Sequence, residues 1–300
     1  PQPRRVCWIE EPERLVGHVA RTALARWPLG DGDCLPEPLP ARRERGRGER
    51  VARRPAALAE PSREGGPLRS ALGPGEPPER RRRELAAVLE EQRIEQLRVA
   101  GELRAAREIQ MGMLPNPRSI EGLPGALDFF ALLEPAQEVG GDLYDGFMLD
   151  EHRLCFMIGD VSGKGVPASL FMALTKTLAK SLARRERLPL DKLVRLVNDD
   201  VSRENPAAMF VSAIIGVIDA RSGEAELCNA GHNAPILLPW SGSPRELDGA
   251  GGPPLCIDEQ FPYTIQQIKL EPGDILLLMT DGVTEAENKH QAQYGTMRAL

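Results

Sequence analysis

Aromatic side chains are scarce in this 300-residue chain, at 4%. A core with so few rings has to be built mainly from aliphatic residues. Cysteine is scarce as well: Cys7, Cys34, Cys155, Cys228 and Cys256 are odd in number, scattered, and form no Cys-x-x-Cys pair. That argues against a disulfide framework and for reduced thiols in a cytoplasmic protein. No apolar run approaches the roughly 20 residues that span a bilayer, and no charged-then-apolar leader pattern is present, so no membrane segment is expected. Only four His occur, none at His-x₃-His spacing, and a Gly-x-Ser-x-Gly elbow is missing. The simplest zinc and serine-hydrolase readings fall with them. No Cys neighbours a plausible base, which leaves cysteine-based phosphate chemistry without support.

Charge is unevenly placed. Lysine is missing from the first 83 residues, whose 18 Arg stand against 12 acidic residues for a balance of +6, while the remainder carries −12. An acidic body argues against nucleic acid as the main partner and is compatible with cation binding. Residues 1–78 are rich in Pro, Gly and Arg and cannot bury enough apolar surface to offset ordering entropy. They are expected to be mostly disordered, with Val6–Leu29 either the tail of an upstream domain or an isolated helix. Residues 79–112 contain no Pro and are dominated by Ala, Glu, Leu, Arg and Gln, strong helix formers. They read as a helical linker that either pairs with a second copy or packs alone on the body.

From 113 to 300 the pattern changes to short apolar strands punctuated by turns. Strands are expected at 126–136 and 153–161, with the segment between them, which holds Gly140 and Gly141, turning back as a hairpin; helices are expected at 167–185 and 190–204, a hairpin across 209–239 around ARSGE, a Gly/Pro-rich loop over 240–256, and two further strands around PGD in 263–282. Strands arriving in adjacent pairs predict an α+β fold with antiparallel sheets and two helices laid on one face.

Three Asp mark the ends of these apolar segments: Asp142 in GGDLYD, Asp160 in GDVSGKG and Asp281 in TDGVTEA. A carboxylate at the end of a buried strand is costly unless paired or metal-bound, and an adjacent Gly lets backbone approach a ligand closely. Each Asp taken singly also fits a plain Asp-Gly turn. If all three converge, they make an anionic, all-oxygen site suited to Mg²⁺ or Mn²⁺ rather than zinc. Two such ions can activate water against a phosphoryl group. GDVSGKG imitates a phosphate-binding loop but fails its spacing: Gly159 and Gly163 are one residue too close, and Gly165 stands where Ser or Thr is required. His232 in NAGHNAP reads as a hydrogen-bonded strand-end residue, with general acid and metal ligand as alternatives. Cys155 and Cys228 read as small core residues.

From about Ala105 to Leu300 the motifs AAREIQMGMLP, GGDLYD, DVSGKGVPASLFMA, NAGHNAP and LLLMTDGVTEAEN follow one another. In order and spacing this resembles the bacterial branch of the PPM, or protein phosphatase 2C-like, serine/threonine phosphatases. That branch holds the general-stress sigma-factor regulator and the sporulation stage II phosphatase. The resemblance implies an α-β-β-α sandwich with two Mn²⁺ or Mg²⁺ ions at one edge. Asp160 would bridge both ions, Asp281 would bind one, the main-chain carbonyl of Val161 would ligate, and Asp142 would hold the second directly or through water. It also implies a water nucleophile and, as substrate, a phosphoserine or phosphothreonine on an anti-anti-sigma-factor-like protein. Upstream control through the helical linker is implied too.

The sequence departs from the family pattern in places. The loop GGPPLCI carries Cys256 where the family commonly has Gly, and KHQAQYGTMRAL replaces the usual Gly-Glu and Phe-Gly stretch. The family's last metal-binding Asp, in an Asp-Asp-Ile-Thr strand, would fall beyond Leu300. The fold is therefore expected to be incomplete at its C-terminal end, with one strand and one helix missing and the 300-residue piece weak or inactive. A metal-deficient pseudo-phosphatase acting by protein contact is the alternative reading.

Overall fold

The computed structural model describes residues 2–9, 78–116, 120–135, 137–249 and 251–286, with Gln293 and Gly295. Two compact units are distinguished, residues 1–26 with 100–300 and residues 27–99. Among the described residues the latter consists of the first part of helix α1 (Pro78–Met113). That helix matches the Pro-free Ala/Glu/Leu/Arg segment and carries local ion pairs such as Arg80–Glu84 and Arg98–Glu95. Leu85, Leu89, Ile94 and Leu97 along it are exposed. Most of the Pro/Arg-rich segment lies outside the described residues.

The larger unit has two sheets. The first runs, in order across it, β2 (Leu127–Leu132), β1 (Arg4–Ile9), β11 (Ile275–Met279), β7 (Ile236–Leu238) and β8 (Arg245–Glu246). The second runs β10 (Gln266–Lys269), β6 (Glu224–Ala230), β5 (Val211–Asp219), β4 (Arg153–Val161) and β3 (Leu143–Met148), with the short β9 (Gly251–Gly252) beside β6. Period-2 alternation divides the apolar side chains. Leu154, Phe156 and Ile158 of β4 and Ile214 and Ile218 of β5 meet Phe129, Leu276 and Leu278 of the first sheet in one core. Cys155, Met157, Ile215 and Cys228 face the other way, toward α2 (Gly165–Glu186) and α3 (Leu190–Arg203). Those helices contribute Phe171, Met172, Ala179, Leu193, Val194 and Val197 to a second core. On the outer side of the first sheet, Ile236, Ile275, Leu277 and Met279 cluster with Val283 of the short α4 (Asp281–Thr284). The layered α+β class expected from the paired strands is the one observed. Among the described residues no helix is long and apolar enough to cross a membrane.

Four details differ from expectation. Residues Arg4–Ile9 are a strand, not part of a helix, and pair in parallel with both β2 and β11. The first sheet is therefore mixed rather than purely antiparallel. Arg4 is buried there and donates to the Leu270 and Ala220 carbonyls at 2.6 and 3.1 Å. Second, β2 does not form a hairpin with β4. The unexpected β3 is the partner of β4, and β2 lies in the other sheet. Third, the strands around PGD do not pair with each other, since β10 joins β6 and β11 joins β7. The turn carries the chain from one sheet to the other. Fourth, the Gly/Pro-rich stretch 240–256 contains β8 and β9.

Candidate active site

β4 enters from the apolar run LCFMIG and holds Asp160 as its penultimate residue. β11, with all five residues buried, delivers Asp281 two residues after its end. Asp142 directly precedes β3. Asp142 and Asp160 thus come from the second sheet and Asp281 from the first. Asp142 and Asp160 are half-buried and Asp281 is exposed. Asp142 and Asp281 lie near enough to Asp160 for their charges to act on it: burial first, then those two charges, push the Asp160 carboxyl up to about 7. Burial and like charge both disfavour the ionised carboxylate.

The backbone around Asp160 is shaped for close approach. A Cβ on Gly141 would fall 2.7 Å from the Val161 carbonyl oxygen and 3.3 Å from Asp160 Oδ1, so only Gly leaves the space between these oxygens open. Gly163 and Gly165 adopt positive φ, 96° and 72°, which turns the chain from β4 into α2 within a few residues. The Ser162 amide donates to the Phe210 carbonyl at 2.8 Å, and the Phe210 amide donates to Ser162 Oγ at 2.9 Å. Among the described residues no three His, Cys, Asp or Glu side chains close upon one point as an ion's full ligand set would. The carboxylates are gathered without being drawn together. Oxygen donors with excess negative charge and an open space before a main-chain carbonyl nonetheless fit hard divalent cations by their chemistry.

Two neighbouring constellations complete the region. His232 accepts or donates a 2.8 Å hydrogen bond between its Nδ1 and Ser212 Oγ, and Ser212 lies directly across the β4–β5 ladder from Asp160. Burial pushes the His232 imidazolium down to about 4, against an opposing influence of the Met279 main chain, so the ring is neutral at ordinary pH. Asn229 brackets the same turn, donating to the His232 carbonyl and accepting from its amide. The hydrogen-bonding reading of His232 is therefore the one the geometry matches. The other constellation went unread in the sequence: fully buried Asp145 of β3 meets Lys176 Nζ at 2.8 Å and Lys180 Nζ at 3.2 Å on α2. Asp145 in LYDGFM and Lys in TKTLAK, four residues apart on one helix face, are the signal that could have found it.

A two-sheet sandwich that gathers aspartates at one edge of its strands defines the class of PP2C-like phosphatases. The pattern of the family described as "Stage II sporulation protein E (SpoIIE)" matches residues 150–300. Protein IcfG of Synechocystis sp. is 32% identical over 228 residues, 66% of this chain and 35% of its own length. Phosphoserine phosphatase RsbU of Bacillus subtilis is 28% identical over 195 residues, 65% of this chain and 57% of its own. The chain thus spans about a third to three fifths of these relatives. The SiaA-PP2C domain of Pseudomonas aeruginosa superposes with a TM-score of 0.56 at 20% identity, covering 68% of this chain and 80% of that one, which establishes the common fold. This chain belongs to the SpoIIE family, within the bacterial PPM-type phosphatases of the sporulation and stress-regulator branch.

Proposed function

We propose that the chain is a metal-dependent protein phosphatase acting on a phosphoserine or phosphothreonine of an anti-anti-sigma-factor-like regulatory protein. What supports the reading is that Asp142 and Asp281, carried beside strands of two different sheets, both act on Asp160 by their charge. Asp142, Asp160, Asp281 and the Val161 carbonyl would hold two Mn²⁺ or Mg²⁺ ions. When bound, such ions polarise a phosphoryl oxygen and lower the pKa of water. The residues themselves do the holding. Asp160, the carboxylate on which the other two act, would take the central position, and the missing side chain at Gly141 keeps its Oδ1 and the Val161 carbonyl accessible. Asp281 is exposed and so open to an arriving phosphorylated protein. RsbU is a phosphoserine phosphatase by name, which supports a phosphoserine substrate. The exposed apolar residues Leu85, Leu89, Ile94 and Leu97 of α1 support pairing with a second copy through that helix.

Titration of the chain with Mn²⁺ by calorimetry tests the reading, alongside phosphate release from a phosphorylated anti-anti-sigma-type protein. Two-site uptake, with Mn²⁺-dependent release abolished in Asp160→Asn, is expected. Metal uptake is the decisive readout. Absence of uptake would favour the protein-contact reading.

A further inference from the structure

The loop between β6 and β7 places His232 where the two sheets meet. Its Nδ1 is 2.8 Å from Ser212 Oγ on the second sheet. Ser212 stands opposite Asp160 in the antiparallel register. The other ring nitrogen, Nε2, is buried and makes no full hydrogen bond. The Met279 main chain, on the last residue of β11 and two residues before Asp281, is the backbone group that acts on the ring and favours a proton there. Paired amide and carbonyl contacts with Asn229 fix the loop itself. The left-handed Gly231 is packed against Pro254 so closely that a Cβ would meet its ring at 2.4 Å. The imidazole is therefore held on a fixed loop, bonded to Ser212 across the ladder from Asp160 and acted on by the Met279 main chain.

We propose that His232 is a positioning residue that ties the Asp160 end of the second sheet to the Asp281 end of the first. In this arrangement Nε2 carries the ring proton and directs it toward the Met279 carbonyl, and Nδ1 accepts the Ser212 hydroxyl. Two consequences follow. The Ser212 hydroxyl proton is turned away from Asp160, which keeps that carboxylate's lone pairs for a cation. The spacing between the two sheets at the site is set by a rigid ring rather than by a flexible side chain. The proposal deepens the metal-dependent reading above and rests on it for its effect on metal affinity.

Two conservative variants split the ring's roles. The amide of His232→Asn can replace Nδ1 as acceptor for Ser212 but cannot reach Met279. That of His232→Gln can replace Nε2 as donor toward Met279 but not Nδ1. Hydrogen exchange on the metal-free chain should show faster amide exchange at Thr280–Gly282 in Asn and at Asp160–Ser162 in Gln, with both ends faster in His232→Ala. Mn²⁺ affinity, measured by electron paramagnetic resonance, should fall about 10–100-fold in Ala, the range for groups that orient metal ligands, and less in Asn and Gln. A folded Ala variant with wild-type affinity, or Asn and Gln variants with the same exchange pattern, overturns the proposal. A wild-type chain that takes up no Mn²⁺ overturns the phosphatase reading instead, and the exchange pattern then decides the tie between the sheets on its own.

Discussion

Replacing Asp145 with Asn should destabilise the domain more than any other single change of one charge. Asp145 is fully buried on β3, with Lys176 Nζ at 2.8 Å and Lys180 Nζ at 3.2 Å. Lys180 keeps 31% of its side-chain surface in solvent, and lies 4.8 Å above the Phe147 ring, so it can turn outward at little cost. Lys176 is only 7% exposed and cannot. Its ammonium would be left buried without a counter-charge, which costs about 3–5 kcal/mol. For a domain of this size each kcal/mol lowers the melting temperature by ~2–4 °C, so a fall of about 6–20 °C is expected in a thermal scan, with a matching shift in the urea midpoint. The double variant Asp145→Leu with Lys176→Met removes both charges and fills the space with apolar atoms. It should recover to within about 1 kcal/mol of wild type or exceed it, giving a large coupling energy in a double-mutant cycle. If Asp145→Asn loses less than about 1 kcal/mol, the charge is hydrated in solution and the reasoning fails. If the double variant falls as far as the single, packing rather than charge compensation holds α2 to β3.

In chelator, stability should fall as pH rises from about 4 to about 7. The folded chain keeps the Asp160 proton up to about 7 while the unfolded chain releases it near ~3.9, so the folded state binds more protons through that window. Neutral buried His232, pushed down to about 4, acts in the opposite sense, so the test is the difference between wild type and Asp160→Asn; two parallel pH profiles would refute it. Gly141→Ala should abolish Mn²⁺ uptake and lower stability by about 1–3 kcal/mol, because its Cβ would press on the Val161 carbonyl and Asp160 Oδ1; wild-type uptake would show that this backbone approach is not needed. Removing residues 1–9 should cost about 2 kcal/mol or more through loss of buried Val6 and of the strand between β2 and β11; a superimposable urea curve would mean that β1 contributes nothing.

Much of this architecture was legible because the periodicities were strong. α2 and α3 lie within about two residues of their expected limits, and the β5–β6 hairpin turns at the expected ARSGE. Asp160 and Asp281 stood out because an apolar run followed by Gly-Asp or Asp-Gly puts a charge where burial ends. β3 was missed for a physical reason: Asp145 and Gly146 interrupt its apolar signal, and the compensating lysines lie 31 and 35 residues further on. β1 was missed because a six-residue strand within a Pro- and Arg-rich context has no local signal, and its partners are more than a hundred residues away. Sheet assignment was missed wherever adjacent strands part company, as at PGD, since a turn of that composition serves a hairpin and a crossover equally well. Cys256 shows the reverse case. Its φ of 71° is a left-handed conformation that favours Gly, which gives a structural reason for the family's Gly at that position. The Asn198 side chain holds the strained residue by accepting from its amide at 2.9 Å.

The site and the rest of the fold pull against each other in a way that fixes what each must do. Two sheets bring like charges toward one edge, and burial, together with the charges of Asp142 and Asp281, pushes the Asp160 carboxyl up to about 7. Such an arrangement persists only if the surrounding contacts over-determine it. The Asp145–Lys176 pair, which fastens α2 to β3 just beyond Asp142, and the Ser212–His232 bond beside Asp160 are two contacts of that kind. It follows that neutralising Asp160 and breaking the Asp145 pair should have opposite signs in the metal-free chain. Asp160→Asn should raise stability above pH 7 while removing the proposed function, and Asp145→Asn should lower stability while leaving all three site carboxylates in the sequence. If both changes destabilised the chain equally, the carboxylate ring would not be a strained element, and the case for a cation completing it would lose its physical basis.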